Sequence, residues 1–537
     1  MPASSREEAD FVEPAAQTHG ACGLSRRDVL TGVAAAALAA VPIAVLAIGR
    51  VYPTYGTETD FVSGFVPEAE RILQGGPLLI RFHPPLYSLA LAGGHLLGIS
   101  WFATGLVLSC MAAVAAMLAA YLLFAAQGQR SAAWGALVGL ATCPIFIAFG
   151  AQATSDLFFL ALYLSAITAL MLARSSSARG SWAVAGLLTG LTMLTRTNGA
   201  TLAPVAVATA LWPSASGRRR ASLWGMASCF AVLLVWCAAA RATHSPLLPT
   251  ANARNLALTY LVPETDRMST DAAALAARRL DALRTSGRSQ ARHLAGMVMR
   301  TYLRDARIAA RQLVGRDGLL LFPFGLLAAP GLVLLFRTLT RPVPWLLGGA
   351  TLLQAALMNM KAFEERYWLS FTPLLGAAAS LLLCAGLGWF TNRRLRLTVI
   401  VAGALCVAAA TARAMYRIHA GLHSADAELG EAIPVVKAAI RVGNPRPILL
   451  ARKPHLAWYS GLEAVKVPDV RTPEALRAAI APYKARDVYL FVGTAERFYR
   501  AELAGRLQSE AVPPWITVVA RSRAPGAWTL FRVMPPE

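Results

Sequence analysis

The sequence predicts an all-α polytopic membrane bundle of about eleven crossings plus one short non-crossing or re-entrant helix, followed by a small extracytoplasmic α/β domain. Three observations predict it. Charged residues make up 15% of the 537 and hydrophobic ones 56%, whereas a soluble globule is nearer a quarter charged. Apolar stretches of membrane-crossing character recur between residues 29 and 416. Beyond residue 420 the pattern changes to short β-rich runs, PILL at 447–450 and VYLFV at 488–492, alternating with helical stretches such as 473–480.

Residues 1–24 are polar, mixed in charge and aperiodic, which predicts a disordered cytoplasmic tail. Ser25-Arg26-Arg27-Asp28 then precedes an alanine-rich run. It resembles an export signal, but the run at 29–48 is long enough to span a bilayer and many spans follow, so an uncleaved first helix is expected. Segment 86–98 is too short to cross ~30 Å of hydrocarbon at 1.5 Å per residue. Further spans are expected at 101–125, 132–150, 155–173, 181–195, 198–212, 221–240, 318–337, 343–360, 366–390 and 395–416. If 86–98 does not cross, Arg130 and the basic loops at 174–179, 218–220, 337–341 and 393–396 all share a side with Arg26 and Arg27, as the positive-inside bias requires.

The net charge of +22 is scattered in short clusters between apolar spans rather than gathered in a nucleic-acid motif. That distribution suits lipid headgroups, and no nucleic-acid partner is expected. The seven cysteines form neither a disulfide framework nor a metal cluster by spacing. Two polar regions, 51–85 and 241–317, are expected as outer loops. The second carries Arg300, Arg304, Arg307 and Arg311 at three- and four-residue steps, an amphipathic helix suited to a membrane surface.

Candidate chemistry lies in four polar clusters that this topology brings to one face. The first is the loop at 60–87, where Asp60 precedes a helical stretch, a Gly75-Gly76 stop, and then Arg81 and His83 before Pro84-Pro85. Proline can open a helix but not sit inside one, so Arg81 and His83 fall near a helix N-terminus, a favourable place for a phosphate. The others are QATSD at 152–156, TRTN at 195–198 and KAFEERY at 361–367. A charge deep in hydrocarbon costs roughly 2.5–3.5 kcal/mol on insertion scales, so Asp156, Arg196 and Arg366 are expected to face a shared wet cavity. Each also has a plainer reading: Asp156 as a helix-start acid, Arg196 as a snorkelling cation, Glu364 to Arg366 as a solvated ion-pair group.

Taken together, these residues and motifs resemble the C-type membrane glycosyltransferases, in the bacterial branch related to protein O-mannosyltransferases and lipid A aminoarabinose transferases. The resemblance covers most of residues 29–420, and RKPHLAWYSGLEAVKVP at 452–468 resembles the extracytoplasmic domain attached to that branch. It implies a hexosyl- or pentosyltransferase of the bacterial cytoplasmic membrane. Such an enzyme takes a sugar from a polyprenyl-phosphate donor and passes it, with inversion, to an extracytoplasmic acceptor. It maps the loop carboxylate onto Asp60, the second acid onto Asp156, HPPLY onto His83 to Tyr87 and ERY onto Glu365 to Tyr367. Many relatives carry an acidic pair in the first loop; here Thr59 precedes Asp60, with Glu58 one step further back.

The chemistry asks for the same residue types. Displacing a phosphate from C1 needs cations at the leaving group and one carboxylate at the acceptor hydroxyl. Arg81, His83, Lys361 and Arg366 suit the first role and Asp60 the second, with Glu58, Tyr87, Asp156, Arg196, Asn198, Glu365 and Tyr367 around them. Asp60 and Asp156 are also candidates for a divalent metal, a weak signature, and no other cofactor is expected. The rival class is a transporter or flippase of a lipid-linked saccharide, against which the sequence shows no internal repeat. Domain boundaries are expected at 1–24, 25–420 and 421–537.

Overall fold

The computed structural model describes residues 24–79, 83–176, 178–211, 216–247, scattered residues between 275 and 307, and then 324–339, 343–359, 365–440, 446–468, 470–509, 512–524 and 527–536. Arg81, Lys361 and most of the 241–317 loop lie outside the described residues; Arg300, Arg304 and Arg307 of the expected surface helix are helical.

Helix α1 (Arg26–Ala39) starts at a reciprocal cap: Ser25 accepts from the Asp28 amide while the Asp28 carboxylate reaches back to the Ser25 amide. It continues into α2 (Val41–Ala47), and together Arg26–Ala47 are long and apolar enough to cross a membrane. Then come α3 (Val66–Leu73), α4 (Leu86–Leu96) and α5 (Trp101–Ala125). At the far end of α5, Arg130 lies 3.6 Å from Asp28. The loop after α5 therefore sits at the end where α1 begins, and α5 starts at the other end, beside the first loop. Helix α4, about 16 Å long at 1.5 Å per residue, begins and ends on the first-loop side, as its length predicts.

The expected span at 132–150 is two helices, α6 (Arg130–Thr142) and α7 (Pro144–Gly150), bent by 65°. Pro144 pushes Cys143 out of the helical region, to φ −70° and ψ 116°. α8 (Ser155–Ser175), α9 (Arg179–Met193), α10 (Leu202–Leu211) and α11 (Ser216–Ala242) follow, and after the long loop α12 (Phe324–Thr338), α13 (Val343–Asn359) and α14 (Thr372–Gly388). Helices α6 and α14 meet backbone to backbone: a Cβ on Gly135 would stand 2.5 Å from the Gly376 carbonyl oxygen.

Among the described residues six helices are long and apolar enough to cross a membrane, or seven if the bent pair counts as one span. The expected number was about eleven. The difference lies in α9, α10, α12 and α13, which have 15, 10, 15 and 17 described residues, and in the break between α9 and α10 that exposes the Arg196 segment.

Helix α15 (Arg393–Ala439) has 47 residues, about 70 Å, and runs without interruption through the expected boundary at 420. Its distal end joins a five-stranded sheet of order β2-β1-β3-β5-β4: β1 (Ile448–Leu450), β2 (Glu463–Val465), β3 (Val488–Val492), β4 (Ile516–Arg521) and β5 (Thr529–Val533). β2, β1 and β3 are parallel, while β5 pairs antiparallel with both β3 and β4. Every residue of β3 is buried because the sheet is covered twice. Leu429, Ile433 and Val436 of α15 cover one face with Leu456, and Leu476, Leu503 and Leu507 cover the other.

Candidate active site

The first loop is stitched down before it reaches Asp60. Glu58 is fully buried and receives both terminal nitrogens of Arg50, at 3.1 and 2.6 Å, together with the amides of Thr54 (2.7 Å) and Ala153 (2.6 Å). Arg50 also donates to the Ala151 carbonyl at 2.5 Å, and Thr57 bonds to Gln152. A π-helical turn, Phe61–Phe65, then buries Phe61, Val62 and Phe65 and leaves Asp60 exposed at its start. Such widened turns recur at functional positions because they re-aim side chains.

Asp60 lines a polar pocket with Thr57, His83, Thr154, Ser155, Asp156, Arg196 and Arg366. Asp156 occupies the first turn of α8, Arg196 the break after α9, and Arg366 the 3-10 turn Glu365–Phe371. Arg196 binds Asp156 at 2.6 Å and Ser155 Oγ at 3.2 Å, and Arg366 lies 3.5 Å from the other Asp156 oxygen. The Tyr367 ring lies 5.4 and 5.2 Å from the two guanidinium carbons. One carboxylate thus organises two guanidinium groups over an aromatic face. The His83 ring packs on Phe65 with centroids 4.1 Å apart and turns Nδ1 toward Glu68, at 3.6 Å. Only glycine fits at position 64, where a Cβ would stand 2.9 Å from the His83 ring.

Two features flank this pocket. An apolar groove of about 540 Å³ lies between α4, α9 and α11, lined by Leu78, Pro85, Leu89, Leu191, Val235, Trp236 and their neighbours. Its Pro85 edge is two residues from His83. On the other side the C-terminal sheet clamps the first loop. Lys453 donates to Thr59 Oγ1 (3.0 Å), His455 Nε2 bonds the Thr54 carbonyl (2.9 Å), and Tyr55 donates to Glu428 (2.7 Å), which also accepts from Thr494. Burial pushes His455 down to about 4 and raises Glu496. Burial also lowers Lys453, and Arg452 beside it adds to this, while Asp60 and Glu496 pull the other way.

Residues 82–240 match the family described as dolichyl-phosphate-mannose-protein mannosyltransferase. The chain is similar in structure to ArnT from Cupriavidus metallidurans bound to undecaprenyl phosphate, with a TM-score of 0.58 and 14% identity over 96% of this chain and 100% of that one. The apo form of the same protein gives 0.56 and 15%, over 95% and 99%. The chain therefore has the fold of ArnT, and over residues 82–240 it resembles the mannosyltransferase family by sequence. The archaeal oligosaccharyltransferase AglB from Archaeoglobus fulgidus, in complex with an inhibitory peptide and a dolichol-phosphate, shares the fold at a TM-score of 0.53 and 14% identity, over 88% of this chain and 70% of that one. No curated protein matches by sequence.

Within this fold, Asp60, His83, Asp156, Arg196 and Arg366 share one pocket although they are scattered over about 300 residues. Asn198 and Tyr367 line a second pocket on the other side of Asp156. Tyr87 is fully buried beneath the site, against Phe65 and Phe158. Glu365 opens the 3-10 turn that carries Arg366. Glu58 is not a partner of Asp60: its carboxylate is consumed by Arg50 and two amides, which makes it the loop's anchor. Asp156 does not fit a metal-binding role either, since both its oxygens face guanidinium groups. Lys453 and the clamp around Glu428 escaped the sequence reading, because nothing local to RKPH says that it docks on a loop some 390 residues away.

Proposed function

We propose that the protein transfers a sugar from a polyprenyl-phosphate carrier to an acceptor outside the cytoplasm, with inversion at the anomeric carbon. The observation that carries this reading is the meeting of an exposed carboxylate, Asp60, with the Arg196–Asp156–Arg366 cluster at the head of an apolar groove. An isoprenoid chain suits the groove, and its phosphate suits the two guanidinium groups that Asp156 gathers beside His83. The ArnT and AglB structures were solved with such lipid phosphates, which supports the donor class.

The acceptor oxygen attacks C1 on the face opposite the phosphate; the C1–O bond breaks with its electron pair leaving on the lipid phosphate. Asp60 takes the acceptor's proton, while Arg196 and Arg366 stabilise the charge that develops on the leaving group. The phosphate departs unprotonated, so one base suffices. A transporter reading gives this open carboxylate no task.

The proposed setting is a bacterial cytoplasmic membrane with the pocket on its outer face. The clamp between the first loop and the C-terminal sheet puts both on one side, which requires an odd number of crossings; eleven meets that condition. Membranes containing the chain, supplied with a labelled polyprenyl-phosphate sugar, should form a new glycosidic product at a rate that Asp60→Asn lowers by orders of magnitude. Translocation without a product would overturn the reading.

A further inference from the structure

On the side of Asp156 away from Asp60, a narrow notch is lined by Gln354 of α13, Ser370 of the 3-10 turn and the apolar Phe159 and Leu160 of α8. It shares Asp156, Arg196 and Arg366 with the first pocket, so the two adjoin at that cluster. Gln354 is 1% exposed, yet its Oε1 has no hydrogen-bond partner, and neither has the Ser370 hydroxyl. A buried amide left unsatisfied among apolar neighbours is costly and calls for a specific partner. The space between these groups, about 10 Å³, takes a single water-sized group.

We propose that this notch receives one hydroxyl or amino group of the donor sugar, which Gln354 and Ser370 read. The inference rests on the glycosyl-transfer reading above and adds a specificity device to it. With the lipid phosphate at Arg196 and Arg366, the sugar it carries lies against the same cluster. A group projecting from one ring position then reaches the amide and the hydroxyl. A site whose buried polar groups depend on a substrate hydroxyl rejects the analogue lacking it far more strongly than an apolar pocket rejects an extra methylene. The notch is too small for the ring itself, so it reads one position.

The test uses the full chain in lipid nanodiscs and measures Kd for a short polyprenyl phosphate, for the same lipid carrying a hexose or a 4-amino-pentose, and for their single-deoxy analogues. In the unaltered chain the preferred sugar-bearing lipid should bind more tightly than the bare lipid phosphate, and one deoxy analogue should lose about tenfold. Gln354→Leu and the milder Ser370→Ala should erase that tenfold difference while leaving the Kd of the bare lipid phosphate unchanged. Unaltered ranking of the analogues in both variants overturns the proposal and leaves a bound water as the notch's occupant. Weakening of bare and sugar-bearing lipid alike also overturns it, since the role is then structural. Failure of the unaltered chain to bind bare polyprenyl phosphate sinks the donor reading itself, a result distinct from both.

Discussion

The Arg50–Glu58 pair permits a test that separates architecture from chemistry at the active site. Both side chains are 0% exposed and lie 2.6 Å apart, and Glu58 further holds the Thr54 and Ala153 amides. Glu58→Gln keeps an acceptor for only one of the two amides, which bond different carboxylate oxygens, and it strands a buried guanidinium. Removing one partner of a buried pair costs about 3–5 kcal/mol, whereas replacing both by apolar residues of similar volume is often close to neutral. Three to five kcal/mol corresponds to roughly two to four orders of magnitude in the population of an opened loop. Hydrogen exchange over residues 50–60 in nanodiscs should therefore speed up by that factor in Glu58→Gln, and transfer should fall with it. Arg50→Met combined with Glu58→Leu should recover only part of the slow exchange and of the transfer activity, because it removes the stranded charge but leaves the Thr54 and Ala153 amides without an acceptor. Exchange in Glu58→Gln as slow as in the unaltered chain would refute the anchoring argument. A double variant with slow exchange but no transfer would show that Glu58 takes part in the chemistry.

Asp60→Asn should lower the rate of transfer by about 10²–10⁴, the usual contribution of a general base, with binding of the donor nearly unchanged; single-turnover measurements read the two separately. Arg366→Gln should weaken binding of bare polyprenyl phosphate about tenfold or more and flatten the salt dependence of that binding, because it removes one cation of the cluster. His455 titrates in the folded protein at about 4, against an ordinary 6.5. The undocked chain therefore takes up the proton first as pH falls. The clamp on Thr54 is complete above about pH 6.5 and weakens toward pH 4 by about 3 kcal/mol, and His455→Gln should remove that slope. Limited proteolysis at the 52–59 segment across this pH range measures it.

The sequence by itself determined the class of molecule and several of the element boundaries. Bilayer length, charge scarcity and the positive-inside bias are local quantities, so the α5 span, the start of α4 at Leu86 after the double proline, and strand β3 were all legible in the chain. The types of residue in the site were legible too, because a charge in an apolar chain must have a reason. What only the tertiary structure decided is which charge answers which. Glu58 and Asp60 are two residues apart and indistinguishable by type. One is spent on Arg50 and the Ala153 amide, and the other is left open to the pocket. Asp156 has the composition of a metal ligand or a helix-start acid until α9 and the Glu365–Phe371 turn bring two guanidinium groups onto it. Lys453 and Gln354 carry no local signal at all: one gains its place from the docking of a separate sheet, the other from the loss of every partner its amide oxygen could have had. Pairing energies depend on distance and on the water excluded around a group, and both are properties of the packed chain.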